Sequence, residues 1–183
     1  MKSIKTEIDG AVIIEPDVFG DNRGWFMESY SEKKFKELGI DADFVQDNRS
    51  FSAEKGIIRG MHCQINSSVQ AKLITCLKGE IRDVIVDVRK GSPTYMKSFS
   101  VDLTQENKKF FFIPRGCLHG FVTLSDNVEI MYKVDNFYCK EDDRSIRFDD
   151  PALGIEWGVE NPIMSQKDLT APLLKDSDVN FSY

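Results

Sequence analysis

The chain has 183 residues, a length that suits one domain spanning residues 1–183 with a real hydrophobic core and is short for two. Hydrophobic residues at 41%, charged residues at 30% and thirteen phenylalanines exclude a disordered or collagen-like chain. A net charge of −6 argues against nucleic acid or an anionic membrane as partner, although a local basic cluster can still collect a phosphorylated small molecule.

In chain order, most segments are short and bounded by turn residues, the pattern of an all-β sandwich or barrel. Strands are predicted near Ala11–Ile14 and Trp25–Tyr30, followed by one helix over Glu32–Leu38. Ser31 is its N-cap, Phe35 and Leu38 share a face, and Gly39 stands just past its end, so it reads as a surface decoration. Further strands fall near Gln46–Phe51, Ile57–Gln64, Lys72–Leu77 and Ile81–Val88, with tight turns at Lys78-Gly79-Glu80 and Lys90-Gly91-Ser92-Pro93. Ser98–Leu103 is the clearest strand, because Phe99, Val101 and Leu103 alternate with Ser98, Ser100 and Asp102 at the strand period of two. Lys109–Ile113, Gly120–Leu124 and Val128–Val134 complete the set, and the tail after Trp157 reads as loop or short helix. A closed or nearly closed barrel is expected.

The first residues, Met1–Glu7, hold no apolar stretch of signal-peptide length, and the run Phe110–Ile113 is far too short for a membrane span. A cytoplasmic protein is expected. Cys63, Cys76, Cys117 and Cys139 are widely spaced, with no Cys-x-x-Cys pair, which reads as reduced thiols rather than a disulfide scaffold.

Only two histidines occur, His62 in Gly56-Ile57-Ile58-Arg59-Gly60-Met61-His62-Cys63-Gln64 and His119 in Pro114-Arg115-Gly116-Cys117-Leu118-His119-Gly120. Two such glycine-punctuated settings suggest one site. Pro114-x-Gly116-x-x-His119 resembles the second motif of the cupin superfamily, a small double-sheet jelly roll with a pocket between its sheets. A metal-binding cupin offers His-x-His and a following Glu from one strand, because ligands two apart project to the same face. Here that face carries His62 and Gln64, with no acid following in place, so no metal site is expected.

Within the cupins, the sequence closely resembles the dTDP-4-dehydrorhamnose 3,5-epimerase family, from about Ile13 to Leu174. The likeness runs through Asp21-x-Arg23-Gly24-x-Phe26-x-Glu28, Gln46-Asp47-Asn48, Arg59-Gly60-x-His62-x-Gln64, Lys72-Leu73 and Val86-Asp87-x-Arg89-x-x-Ser92-Pro93-Thr94. It continues through Ile113-Pro114-x-Gly116-x-x-His119-Gly120-Phe121, Tyr132-Lys133, Asp150-Pro151-x-x-Gly154-Ile155-x-Trp157 and Ser165-x-Lys167-Asp168. The resemblance implies a cupin-type jelly-roll β-barrel with short peripheral helices, working without cofactor or metal on a nucleotide-linked 4-keto-6-deoxyhexose.

Both carbons to be inverted flank a ketone, so each C–H is acidified by enolate formation. By resemblance, His62 is the base oriented by Asp168, and Tyr132 delivers a proton from the opposite side. Lys72 supports the enolate oxygen, with His119 as a neighbouring donor. Arg23 and Arg59 are expected to converge on the diphosphate at the pocket mouth. Glu28, Gln46, Asp47 and Asn48 contact the nucleotide and sugar, Tyr138 stacks on the base, and Asp143 and Lys167 belong to the same binding set. The family implies a homodimer with strand exchange, some contacts coming from the partner subunit.

Rival readings stay open at this stage. Ser165-x-x-Asp168 is also a helix capping box, which gives the carboxylate a backbone role instead of, or beside, a catalytic one. Tyr132 reads equally as an interior aromatic with a satisfied hydroxyl, and Lys72 as a strand flank. Asp143 stands where the family has Glu, which leaves the nucleotide base open, and Cys63 replaces an aromatic, a change expected to alter packing between the sheets. The alternatives to a 3,5-epimerase are an epimerase of a single carbon on another nucleotide-linked 4-keto sugar, a metal-dependent cupin, and a non-catalytic sugar-nucleotide-binding barrel.

Overall fold

The computed structural model describes residues 1–183. The chain runs β1 (Lys2–Lys5), β2 (Val12–Glu15), β3 (Val18–Asp21), β4 (Gly24–Met27), α1 (Glu32–Glu37), β5 (Gln46–Ser52), β6 (Ile58–Gln64), β7 (Lys72–Lys78) and β8 (Glu80–Asp87). It continues β9 (Arg89–Lys90), β10 (Ser98–Thr104), β11 (Phe110–Ile113), β12 (Cys117–Thr123), β13 (Val128–Val134), β14 (Asp143–Ser145), α2 (Gln166–Leu169) and β15 (Phe181–Ser182). A six-stranded sheet in the order β1-β2-β11-β7-β13-β5 faces a five-stranded sheet in the order β10-β8-β12-β6-β14, with all pairs inside both antiparallel. This is the cupin-type, predominantly β architecture expected from the sequence.

The sheets enclose one apolar cluster and carry another on each outer face. Ile74, Cys76, Phe111, Ile113 and Ile130 of the larger sheet meet Ile81, Ile85, Leu103, Cys117 and Phe121 of the smaller one. On the far side of the smaller sheet, Val84, Val86, Leu118 and Val122 pack under Ile146, Leu153, Trp157 and Phe181 from the C-terminal third. Strands buried on both faces lose their polar alternation, which is why Ile81–Val88 reads as a near-continuous apolar run. Each fully buried Ile or Phe contributes roughly 2 kcal/mol, and truncating Phe111 to Ala would cost about 3–5 kcal/mol through the cavity left behind.

The third cluster gives α1 more than a decorative role. Phe35 is completely buried with Ile14, Leu73 and Phe110 on the outer face of the larger sheet. Ser31 occupies the N-cap position but its hydroxyl makes no capping bond, and Gly39, at φ +87°, ends the helix as its position implied. Other departures have local causes. The predicted strand Trp25–Tyr30 is shorter and forms a hairpin with β3, and β12 begins at Cys117 because the turn closes at Gly116, φ +83°. The strands β1, β9, β14 and β15 are short and polar or terminal, so only their partners define them. No helix is long and apolar enough to cross a membrane.

Candidate active site

A bulge in β6 builds the floor of the site. His119 pairs with His62 and Phe121 with Arg59, so three residues of β12 lie opposite four of β6. Alternation alone would send Arg59 and His62 to opposite faces, and the extra residue brings both into one cavity with His119 and Phe121. Two glycines permit the approach. A Cβ on Gly60, which sits at φ +135°, would lie 2.5 Å from the Cα of Gly120, and a Cβ on Gly120 would lie 2.9 Å from the carbonyl of Arg59.

The cavity opens between the sheets with a volume of about 470 Å³. The larger sheet adds Ser50, Lys72, Ile130 and Tyr132 to its lining, and the tail adds Met164, Ser165, Lys167 and Asp168. Here His62 Nε2 lies 2.6 Å from Asp168 Oδ1. The capping-box question is answered at the same place. Ser165 Oγ accepts from the Asp168 backbone N–H at 3.2 Å, which caps α2, while the Asp168 carboxylate turns to His62 instead of back to the helix. Burial of Asp168 pushes its carboxyl up, but the bond and charge of His62, with Ser165 and Lys167, override that and hold it below the usual carboxylate range.

Across the cavity, burial raises the Tyr132 phenol, so the hydroxyl keeps its proton at neutral pH. Lys72 is pushed down by burial, with Asp83 and Asp143 as the nearby acids that resist the shift. Asp83 was not singled out in the sequence. It is fully buried, and His119 Nε2 lies 2.9 Å from its Oδ2. Burial lowers His119 and raises Asp83, so both resist carrying charge. An Asp inside the largely apolar run Ile81–Val88, which Asp83 shares with Asp87, was the available signal, since a buried carboxyl needs a partner.

A second lobe of about 250 Å³ shares His62, Lys72, Tyr132 and Lys167 with the first and adds Gln46, Asn48, Gln64, Tyr138 and Asp143. Gln46 Nε2 donates to Asn48 Oδ1 at 2.9 Å, and the half-exposed Tyr138 borders the opening. Asp143 accepts from Gln64 at 3.3 Å and pairs with Lys167, so the shorter carboxylate still reaches across the groove.

Three expected binding residues lie elsewhere within a single chain. Arg23 does not converge with Arg59. Its side chain is 85% exposed, paired with Asp21 on the β3–β4 hairpin, in a separate hollow with Phe19, Trp25 and Phe26. Glu28 pairs with Lys34, and Asp47 points to the outer face of β5, where Lys133 Nζ binds it at 2.8 Å. Cys63 packs in the outer cluster beneath Ile146 and Trp157, not between the sheets, because it alternates with His62, and burial there pushes its thiol up to about 12. No three His, Cys, Asp or Glu side chains converge as a metal-binding group.

Comparison with known proteins places the chain in a family. The family model described as dTDP-4-dehydrorhamnose 3,5-epimerase matches residues 5–176. A protein of that name from Shigella flexneri is 49% identical over 179 residues, covering 97% of this chain and 98% of its own. The crystal structure of a dTDP-6-deoxy-D-glucose-3,5-epimerase from Legionella pneumophila, in complex with dTDP-4-keto-L-rhamnose, superposes with a TM-score of 0.93 at 43% identity, covering 100% of this chain and 98% of that one. A 3'-monoepimerase from Streptomyces bikiniensis, in complex with dTDP-quinovose, superposes at 0.88 with 29% identity, covering 99% and 93%. With the family model spanning nearly all of it and relatives of the same name at close to half identity, the chain belongs to the dTDP-4-dehydrorhamnose 3,5-epimerase family and is an isomerase.

Proposed function

We propose that this isomerase inverts C3 and C5 of dTDP-4-dehydro-6-deoxy-D-glucose to give dTDP-4-dehydro-L-rhamnose, with His62 as the base and Tyr132 as the acid. The observation that carries the reading is the 2.6 Å contact between His62 Nε2 and Asp168 Oδ1, on the rim of a cavity that Tyr132 also lines. In the neutral imidazole, Nε2–H donates to Asp168, which leaves the Nδ1 lone pair for the substrate. His62 takes the proton from the carbon beside the ketone, and the C–H electrons move into a C=C bond as the carbonyl becomes an enolate. Lys72 supplies positive charge to that oxygen. Tyr132 protonates the carbon from the other face, and solvent then returns a proton to the phenolate and takes one from the imidazolium.

Arg59 and Lys167 line the groove and suit the diphosphate, while Gln46, Asn48, Tyr138 and Asp143 in the second lobe suit the nucleoside. Arg23, Glu28 and Asp47 reach a substrate only across an interface or through a local rearrangement. We therefore propose a homodimer with strand exchange, in which the exposed β3–β4 hairpin, with Phe19 65%, Trp25 59% and Phe26 70% exposed, docks on a second copy. No cofactor enters the scheme.

The test is incubation in D₂O with the dTDP-linked 4-keto sugar, following label at the ring carbons by NMR beside His62→Asn. Label at C3 and C5 that is lost in the variant is the expected result. Label at one carbon points to a single-site epimerase, and label at neither overturns the substrate.

A further inference from the structure

Asp168 does not belong to either sheet. It sits in the C-terminal tail, and α2, which carries it, is four residues long and has little stiffness of its own. Something outside the helix must therefore set where the carboxylate stands. On the upstream side, Ile163 forms a parallel bridge beside β6, with Ile58 N–H donating to the Ile163 carbonyl at 3.0 Å and Ile163 N–H donating to that of Gly56 at 2.9 Å. On the downstream side, Arg147 N–H donates to the Pro172 carbonyl at 2.9 Å, and the Leu174 N–H donates to Asp150 Oδ2 at 2.7 Å.

The pair Lys167–Asp143 also ties α2 down but lines the cavity, whereas Asp150 is a side-chain anchor that lies outside both of its lobes. It is 5% exposed, and its two oxygens do separate work. Oδ1 accepts from the Ala152 N–H at 3.0 Å and caps the short turn Pro151–Leu153, whereas Oδ2 reaches 24 residues ahead to Leu174. The first bond is local and structural. The second closes the segment that contains Asp168 onto the barrel, and losing it leaves a part-buried amide without its partner.

We infer that Asp150 is a positioning residue for the reaction: by clamping Leu174 it fixes the tail segment that holds Asp168 against His62, and so sets the orientation of the catalytic imidazole. The inference rests on the proposed role of the His62–Asp168 pair. A displacement of about 1 Å at reacting groups can lower a rate by as much as ~100-fold, so a clamp remote from the substrate has ample leverage on kcat.

The discriminating variant is Asp150→Ser. Serine keeps the cap on Ala152 and is too short to hold Leu174, which separates the two bonds. Rates of deuterium exchange into the dTDP-linked 4-keto sugar are measured for the wild type, Asp150→Ser, Asp168→Asn and the double variant, together with KM and thermal stability. The expected result is a kcat lower by about tenfold in Asp150→Ser with KM within about twofold, and no additional loss when it is added to Asp168→Asn. A folded Asp150→Ser with unchanged kcat overturns the inference, and so does a loss that multiplies fully with that of Asp168→Asn. If Asp168→Asn itself leaves kcat unchanged, the dyad reading fails and the clamp falls with it, a pattern distinct from failure of the clamp alone. Should Asp150→Ser not fold, Asp150→Asn keeps the size of the side chain but has one acceptor oxygen, so it cannot accept from the Ala152 and Leu174 N–H groups together. It is expected to lower kcat by about two- to fivefold with the same lack of additivity, and unchanged kcat in that variant overturns the clamp.

Discussion

His62 and His119 are direct cross-strand partners on β6 and β12, yet each is committed to a different carboxylate, Asp168 at 2.6 Å and Asp83 at 2.9 Å. The first pair stands on the cavity rim, with the imidazole 31% exposed, and the second is buried. That difference suits one histidine to exchange protons with a substrate and the other to stay neutral.

Replacing His62 by Asn should lower the epimerisation rate by about 10²–10⁴-fold, the usual contribution of a general base, with little loss of stability because the ring is partly exposed. Exchange kinetics and a melting curve check both halves. A rate within threefold of wild type would remove His62 from the mechanism.

Tyr132→Phe keeps the ring in the apolar seat beside the inner cluster and deletes only the hydroxyl. Deuterium exchange driven by His62 should persist while inversion is suppressed, because the proton from the opposite face is missing. NMR of the recovered sugar separates exchange with retention from exchange with inversion. Full inversion in the variant would assign the acid elsewhere.

Acid stability should depend on Asp87. Burial pushes its carboxyl up, but bonds from Arg89, Ser92 and Thr94 override this and bring it from 3.8 to about 2. A depressed folded pKa contributes stability that is present above pH 3.8 and lost as pH falls toward 2, a contribution on the order of 2 kcal/mol. Asp87→Asn should lose at least that much at pH 7 and show a flatter decline between pH 4 and 2 in denaturant titrations.

Gly60→Ala should be far worse than Gly56→Ala. Both positions have positive φ, at +135° and +83°, but a Cβ at Gly60 collides with Gly120 at 2.5 Å whereas nothing lies within 4 Å of one at Gly56. Backbone strain alone predicts about 1 kcal/mol at Gly56, and strain with overpacking about 3 kcal/mol or more at Gly60. Activity should fall only in Gly60→Ala, because the bulge aims both Arg59 and His62.

Light scattering should report a dimer, and Trp25→Ser with Phe26→Ser should shift it toward monomer and reduce activity, since Arg23 and Glu28 lie on or beside the same hairpin. An undisturbed wild-type monomer would rule out the proposed interface.

Alternation and motif spacing are local properties of the chain, so the all-β class, most inner strands, and the likeness that points to His62, Lys72, Tyr132 and Asp168 were legible without coordinates. Ser98–Leu103 could be read directly, since its apolar residues alternate with polar ones and fall on the more buried face. Tertiary structure decided the rest. The β6 bulge that puts Arg59 in phase with His62 exists only against β12, and the partnership of Asp83 with His119 joins residues 36 apart. Cys63 and Asp47 take the face opposite His62 and Asn48 by alternation, but only the C-terminal layer over the smaller sheet makes Cys63 buried, and Arg23 stays clear of the groove because packing places its hairpin elsewhere. Local pattern states which face a residue takes along its own strand, whereas only the assembled sheets define what that face meets.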